Sequence, residues 1–225
     1  MALIAMTAAA VMFLQNTGTV AGAEIAANEA RRLETCVAKI ETAPSEAYED
    51  GLAWTFEGNR PGARQCTALA LIALGNVEEG AIRLERLATA VDGGTMEQRA
   101  LYFAQAGNAW MQIGAAEAAA VAFTEALKLM PATPELLLDR ASAHMLIDRW
   151  SEAKSDLDRL IADAPEDGLA HQMRAEVFLN LGDYDAAMRD VQAAMAADPK
   201  NIDTLLVRGR VREAIRLKTE AGQRE

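Results

Sequence analysis

The sequence predicts an all-α fold of helix pairs stacked in tandem, and three observations carry that reading. Prolines 131, 165 and 199 lie 34 residues apart, and the blocks that contain them, 100–133, 134–167 and 168–201, align column by column. A fixed period of that length marks a helix–turn–helix unit repeated on itself, because each unit leaves an apolar face that only a neighbour covers. Alanine makes up about a fifth of the chain and aromatic residues 5%. That composition, without runs of alternating β-branched residues, suits close-packed helices rather than a sheet. The length of 225 residues is enough for one such array with an adequate core.

Within the blocks, small residues recur where two helices must cross closely: Gly107, Ala141 and Ala175 in one column, Ala119, Ala153 and Ala187 in another. Large residues fill the complementary columns: Trp110, His144 and Phe178, then Phe123, Leu157 and Val191. Turn residues separate the helices at Gly114, Asp148 and Gly182, and proline closes each block where the second helix ends. This pattern, with the run Leu181-Gly182-Asp183-Tyr184-Asp185-Ala186-Ala187 as its typical turn, resembles the tetratricopeptide repeat family. The resemblance implies a right-handed superhelical solenoid of helix–turn–helix repeats closed by a C-terminal capping helix.

From the N-terminus, residues 1–23 read as a secretory signal peptide: an apolar run from Met1 to Leu14, a looser stretch, then Ala21-Gly22-Ala23 as an Ala-x-Ala cleavage site before Glu24. No Lys or Arg precedes the run, so either the start lies upstream or the signal is a weak one. The run falls short of the roughly 20 residues a spanning helix needs, so stable membrane insertion of the mature chain is not expected. Residues 24–60 read as a degenerate helix pair turning at Thr42-Ala43-Pro44-Ser45, with Tyr48, Leu52, Trp54 and Phe56 on its second helix. Residues 62–92 read as a degenerate repeat with a Leu74-Gly75-Asn76 turn, after which the spacing breaks at Val91-Asp92-Gly93-Gly94-Thr95. The three regular repeats follow, and 202–220 form a last amphipathic helix without a partner, placed to cap the stack.

Formal net charge is −11. Residues 24–201 carry 16 basic and 29 acidic side chains, whereas 202–225 carry 6 and 4. An acidic body repels phosphate backbones, so nucleic acid is not an expected partner. The basic tail (Arg208, Arg210, Arg212, Arg216, Lys218) reads as cations complementing a helix C-terminus and the acidic neighbourhood, with a partner patch as the alternative. The two cysteines, Cys36 and Cys66, sit on the predicted first helices of adjacent pairs. The layout of the first 23 residues leads to the expectation of export to the periplasm; there the two cysteines form a disulfide, and in a reducing compartment they are two buried thiols.

No catalytic residues, metal site or cofactor are expected. His144 occupies a packing column and His171 has no second His or Cys at ligand spacing. No phosphate-cradling glycine loop or nucleophile elbow is present. Arg140, Arg174 and Arg208 recur with the repeat, as do Asp156 and Asp190. They read as a structural ladder of ion pairs linking successive repeats, the forked guanidinium being suited to a carboxylate. The alternative is an arginine row gripping ligand carboxylates.

The resemblance implies an extended peptide or partner segment bound along a concave face lined by the first helix of each repeat. On this sequence the candidate face is Leu101, Ala104, Asn108, Met111 and Gln112, then Leu138, Ser142, Met145 and Leu146, then Leu169, Gln172, Met173, Glu176 and Leu179. Leu138 and Leu146 are the ones that packing between repeats would claim. A subgroup of the family clamps a terminal carboxylate with lysines, asparagines and an arginine on this face. Only Asn108 matches, and no lysine lies on these positions, so such clamping is not expected. Leucine, methionine and amides suit a mostly apolar, adaptable ligand surface. The expected function is a non-enzymatic protein- or peptide-binding adaptor of the cell envelope, the alternative a permanent structural subunit of an envelope complex.

Overall fold

Helix follows helix through the computed structural model, which describes residues 5–223, with side chains from residue 22. Eleven helices and no strand occur among the described residues. They fall into two compact units, 1–93 and 94–225. The first holds α1 (Ala5–Ile40), α2 (Pro44–Phe56), α3 (Pro61–Ala73) and α4 (Val77–Thr89). The second holds α5 (Met96–Gln112), α6 (Ala116–Leu129), α7 (Pro134–Leu146), α8 (Trp150–Asp163), α9 (Gly168–Leu181), α10 (Tyr184–Ala197) and α11 (Ile202–Gly222). Except for Gly22 and Ala23, the expected signal segment lies outside the residues described with side chains. Among the described residues no helix is long and apolar enough to cross a membrane.

Local chemistry places the boundaries. Proline opens α2, α3 and α7 in the first turn, where its missing N–H costs nothing. Thr95 and Gln98 form a reciprocal capping box at α5, and Asp167, Asp183 and Asn201 cap α9, α10 and α11 through side-chain oxygens. The expected turn column is left-handed throughout: Gly114 at φ 75°, Asp148 at φ 57° and Gly182 at φ 79°. Glycine takes that conformation freely and aspartate tolerates it. The broken spacing falls in the connection from α4 to α5, where Val91 is fully exposed.

In the first unit the core gathers Cys36, Ala47, Trp54, Ala63, Cys66 and Ala70, with Leu33, Ile40 and Tyr48 at its edge. Cys36 and Cys66 are bridged, with Cα atoms 6.0 Å apart, tying α1 to α3. Helix α2 lies so close to that bridge that a Cβ on Gly51 would come within 2.8 Å of the Cys66 sulfur. All four expected apolar residues stand on α2, yet only Trp54 is buried; Phe56 is 90% exposed. The face that packs is Ala47, Gly51 and Trp54, at helical spacing.

In the second unit each pair closes on its small columns. Ala119, Ala153, Ala187, Ala141 and Ala175 are fully buried, as are Phe123 and Leu157. A Cβ on Gly107 would meet the Phe123 ring at 2.6 Å, so glycine is what lets α5 and α6 approach. Helix α11 packs on α9 and α10, and its Val207 and Val211 close the core formed by Ala175, Ala187 and Val191.

His144 sits in the column of Trp110 and Phe178 and is buried, its Nδ1 without a hydrogen-bond partner. Burial pushes its ring below the ordinary value of 6.5, an effect that the Asp156 charge partly offsets and the Arg140 charge reinforces. The unfolded chain therefore takes up the proton first, so this contribution to stability is full above pH 6.5 and lost as pH falls below it. His144→Phe, restoring the aromatic of the neighbouring repeats, is expected to add about 1 kcal/mol at neutral pH and to flatten the loss of stability on acidification. Urea titrations at several pH values check this; an unchanged slope with pH would contradict it.

Candidate functional site

The candidate face is built by the first helices of the regular repeats. Helix α5 touches α7, and α9 touches α11. A direct ruler between α9 and α11 is the ion pair from Arg210 Nη1 on α11 to Glu176 Oε1 on α9, 2.6 Å long between residues 34 apart in sequence. Equivalent positions of α9 and α11 therefore lie within side-chain reach. Asn108, Ser142, Glu176 and Arg210 are one repeat column, and Ala104, Leu138, Gln172 and Leu206 are the next.

The predicted strip residues are accessible to differing degrees. Leu101, Asn108, Gln112, Leu146 and Leu169 are exposed, and Met111, Leu138, Ser142, Met145, Gln172, Met173, Glu176 and Leu179 are half-buried. Leu146, expected as a core residue between repeats, is 65% exposed; the core of α7 is made by Leu136 and Leu137 instead. Leu179 also packs on the apolar cluster below it. The Ser142 hydroxyl donates to the Leu138 carbonyl at 2.9 Å, keeping its oxygen as an acceptor toward the face. Glu176 is engaged by Arg210, so the strip runs on into α11.

One residue of this face was not anticipated. Asp139 is half-buried beside Ser142 and Leu146 on the same side of α7, and burial, then the nearby Glu135 charge, raise its carboxyl above the ordinary range. Its column is Gln105, Asp139, Met173 and Val207, where charge appears once. A carboxylate at an otherwise uncharged repeat position is the signal that would have marked it.

The arginine ladder has a different geometry from the expected one. Arg140 holds Asp156 with two hydrogen bonds, 2.8 and 2.6 Å, and Arg174 holds Asp190 with two, 2.7 and 2.8 Å. Both pairs lie within one repeat, joining its first helix to its second. The links between successive repeats use other acceptors: Arg140 donates to Thr124 Oγ1 at 3.2 Å and Arg174 to Asp158 at 2.8 Å. Burial alone would raise the Asp158 carboxyl, but the hydrogen bonds from Lys154 and Arg174 outweigh it and hold it below its ordinary value. His171 stands against the same cluster, Nδ1 at 2.9 Å from Asp190 and Nε2 at 2.9 Å from the Pro165 carbonyl. Among the described residues Arg208, the expected third rung, donates to the Met195 sulfur, at 3.4 Å, and to no carboxylate. Arg140 and Arg174 are thus occupied by structural carboxylates, and Arg208 is not. Among the described residues no three His, Cys, Asp or Glu side chains gather as a metal site.

Residues 111–177 match the sequence profile described as tetratricopeptide repeat. In sequence the chain is similar to the DnaJ homolog subfamily C member 7 homolog of Dictyostelium discoideum, 29% identical over 162 residues, which is 70% of this chain and 28% of that protein. It is also similar to the Hsp70-Hsp90 organizing protein of Triticum aestivum, 32% identical over 95 residues, 42% of this chain and 16% of that protein. The chain thus spans less than a third of these relatives' length. Among solved structures, MamA 41-end from Desulfovibrio magneticus RS-1 superimposes with a TM-score of 0.61 at 15% identity, covering 79% of this chain and 97% of that one. The first TPR of Spaghetti (RPAP3), bound to the HSP90 peptide SRMEEVD, does so with a TM-score of 0.50 at 23% identity, covering 53% and 94%. The shared property is the fold: an all-α array of tetratricopeptide-type helix pairs.

Proposed function

We propose that this tetratricopeptide-type array is a non-enzymatic adaptor that holds an extended segment of another protein along the first helices of residues 94–225. The carrying observation is the ion pair between Glu176 and Arg210, which joins equivalent positions of α9 and α11 in the repeat column that also holds Asn108 and Ser142. Amide and hydroxyl groups there can bond a peptide backbone, while Met111, Met145 and the exposed leucines adapt to apolar side chains.

The charge on this face narrows the ligand. The RPAP3 domain carries a peptide ending in acidic residues. Here α7 contributes Glu135 and Asp139, Glu176 is already paired with Arg210, and no lysine is present on the strip, so an acidic chain end finds repulsion. A neutral or basic segment with apolar side chains fits. Fluorescence anisotropy is expected to show no saturable binding of labelled SRMEEVD, and saturable binding would restore the clamp reading. For a captured partner, Asn108→Ala combined with Met145→Glu should abolish capture with helicity and melting nearly unchanged. Capture that survives this pair but fails when Arg210 and Arg212 are neutralised would move recognition to α11.

A permanent structural subunit is the second reading, favoured by the exposed Leu101, Leu146, Leu169 and Leu206. Reversible peptide exchange by the purified chain distinguishes the adaptor. We place its action in the cell envelope, on the signal-like first 23 residues together with the cysteine pair. The mature chain is expected to begin at Glu24; an intact mass of envelope protein that still includes residues 1–23 would contradict export by cleavage.

A further inference from the structure

Helix α11 repeats the register of the first helices, yet no second helix follows it among the described residues. Arg174, Ala175 and Phe178 on α9 become Arg208, Gly209 and Arg212 on α11. On α7 and α9 the arginine and small residue of this flank are covered by the second helix of the same repeat: Asp156 and Leu157 in one, Asp190 and Val191 in the other. On α11 the flank is open. A Cβ on Gly209 would meet nothing within 4 Å, whereas one on Gly107, in the same column, would strike the Phe123 ring at 2.6 Å. Arg208 is half-buried with the Met195 sulfur as its hydrogen-bond acceptor and no carboxylate among the described residues. Nearby cations are already engaged: Arg210 by Glu176, Arg216 by Glu213 and Glu220, and Lys218 over the Tyr184 ring. The charge left over is Arg208 and Arg212, one turn apart, on either side of the Gly209 notch.

We propose that this flank of α11 docks a helix of another protein, one carrying the pattern Ala-x-x-Asp-aliphatic. The pattern is what α8 and α10 present to the equivalent flank: Ala153, Asp156 and Leu157, and Ala187, Asp190 and Val191. The aspartate completes the rung on Arg208, the aliphatic side chain enters the notch at Gly209, and the alanine allows the backbones to approach. This surface is separate from the peptide strip, so one chain can hold two partners at once.

The probe is a hydrocarbon-stapled, fluorescent peptide of residues 184–198, which carries this pattern, titrated against the full chain by anisotropy. Saturable binding is expected, weakened at least about tenfold by Arg208→Glu or by Gly209→Leu. Gly209→Leu has open space around it and leaves the fold intact, so its effect reads the notch alone. A peptide with Asp190→Arg should bind the wild type poorly and recover on the Arg208→Glu chain. Met145→Glu on the strip should leave this binding unchanged, which separates it from the adaptor function. Absence of saturable binding, or binding indifferent to Gly209→Leu, overturns the proposal. So does a chain that self-associates in sedimentation and becomes monomeric with Gly209→Leu, since the flank then belongs to a second copy.

Discussion

Arg140→Ala is expected to destabilise the second unit by about 3–5 kcal/mol, because it strands Asp156. The Asp156 side chain is only 3% exposed, and both of its oxygens accept from Arg140. With the guanidinium gone, the carboxylate must either stay charged in a dry site or take up a proton. The paired substitution Arg140→Met with Asp156→Leu is expected to return stability to within about 1 kcal/mol of the native chain, since an apolar pair replaces the ion pair without leaving a charge behind. The protein already contains the precedent: one repeat earlier the same two columns hold Ala106 and Ala122, both buried. Urea unfolding of the three chains checks this. A single substitution no worse than the double one would show that the pair carries little weight.

Reducing the Cys36–Cys66 bridge is expected to cost the first unit roughly 3–4 kcal/mol. The bridge spans a sequence separation of 30 and constrains a correspondingly long loop in the unfolded chain. The cluster that surrounds the bridge is built mostly of small side chains: Ala47, Ala63, Ala70 and the two cysteines around Trp54, plus the partly buried Leu33, Ile40 and Tyr48. Trp54 is a built-in reporter, being 4% exposed in that cluster. A chain with Trp110→Phe and Trp150→Phe should show the Trp54 transition moving to lower urea on reduction. Thiol labelling of unreduced, unfolded protein should find no free cysteine, and two labelled cysteines would count against both the bridge and an oxidising compartment.

The repeat period made the helix pairs legible because a 34-residue spacing is a statement about packing. Every column that must be small, large or left-handed in the second unit was visible before any coordinate, down to Asp148 in a glycine position. What periodicity could not supply was direction. It aligned Arg140 with Arg174 and Asp156 with Asp190, but whether those columns met within a repeat or across two depended on how the helices are rotated about their axes. The same blindness assigned Leu146 to the core and missed Asp139, since both lie within one turn of positions on the other side of the helix. In the first unit the motif had faded, and the packed face of α2 came from Ala47 and Gly51, small residues that no hydrophobic count favours. The strip itself followed from the resemblance, and its extension into α11 followed from one ion pair, Arg210 with Glu176.

The most direct test of the adaptor reading is site-specific photo-crosslinking in the native host. A photoreactive residue at position 145, on the strip, is compared with one at the exposed position 155 on α8, away from it. The account predicts a discrete adduct from position 145 that disappears with Asn108→Ala, and none from position 155. Adducts from position 155 alone, or equally from both, would contradict binding along the first helices.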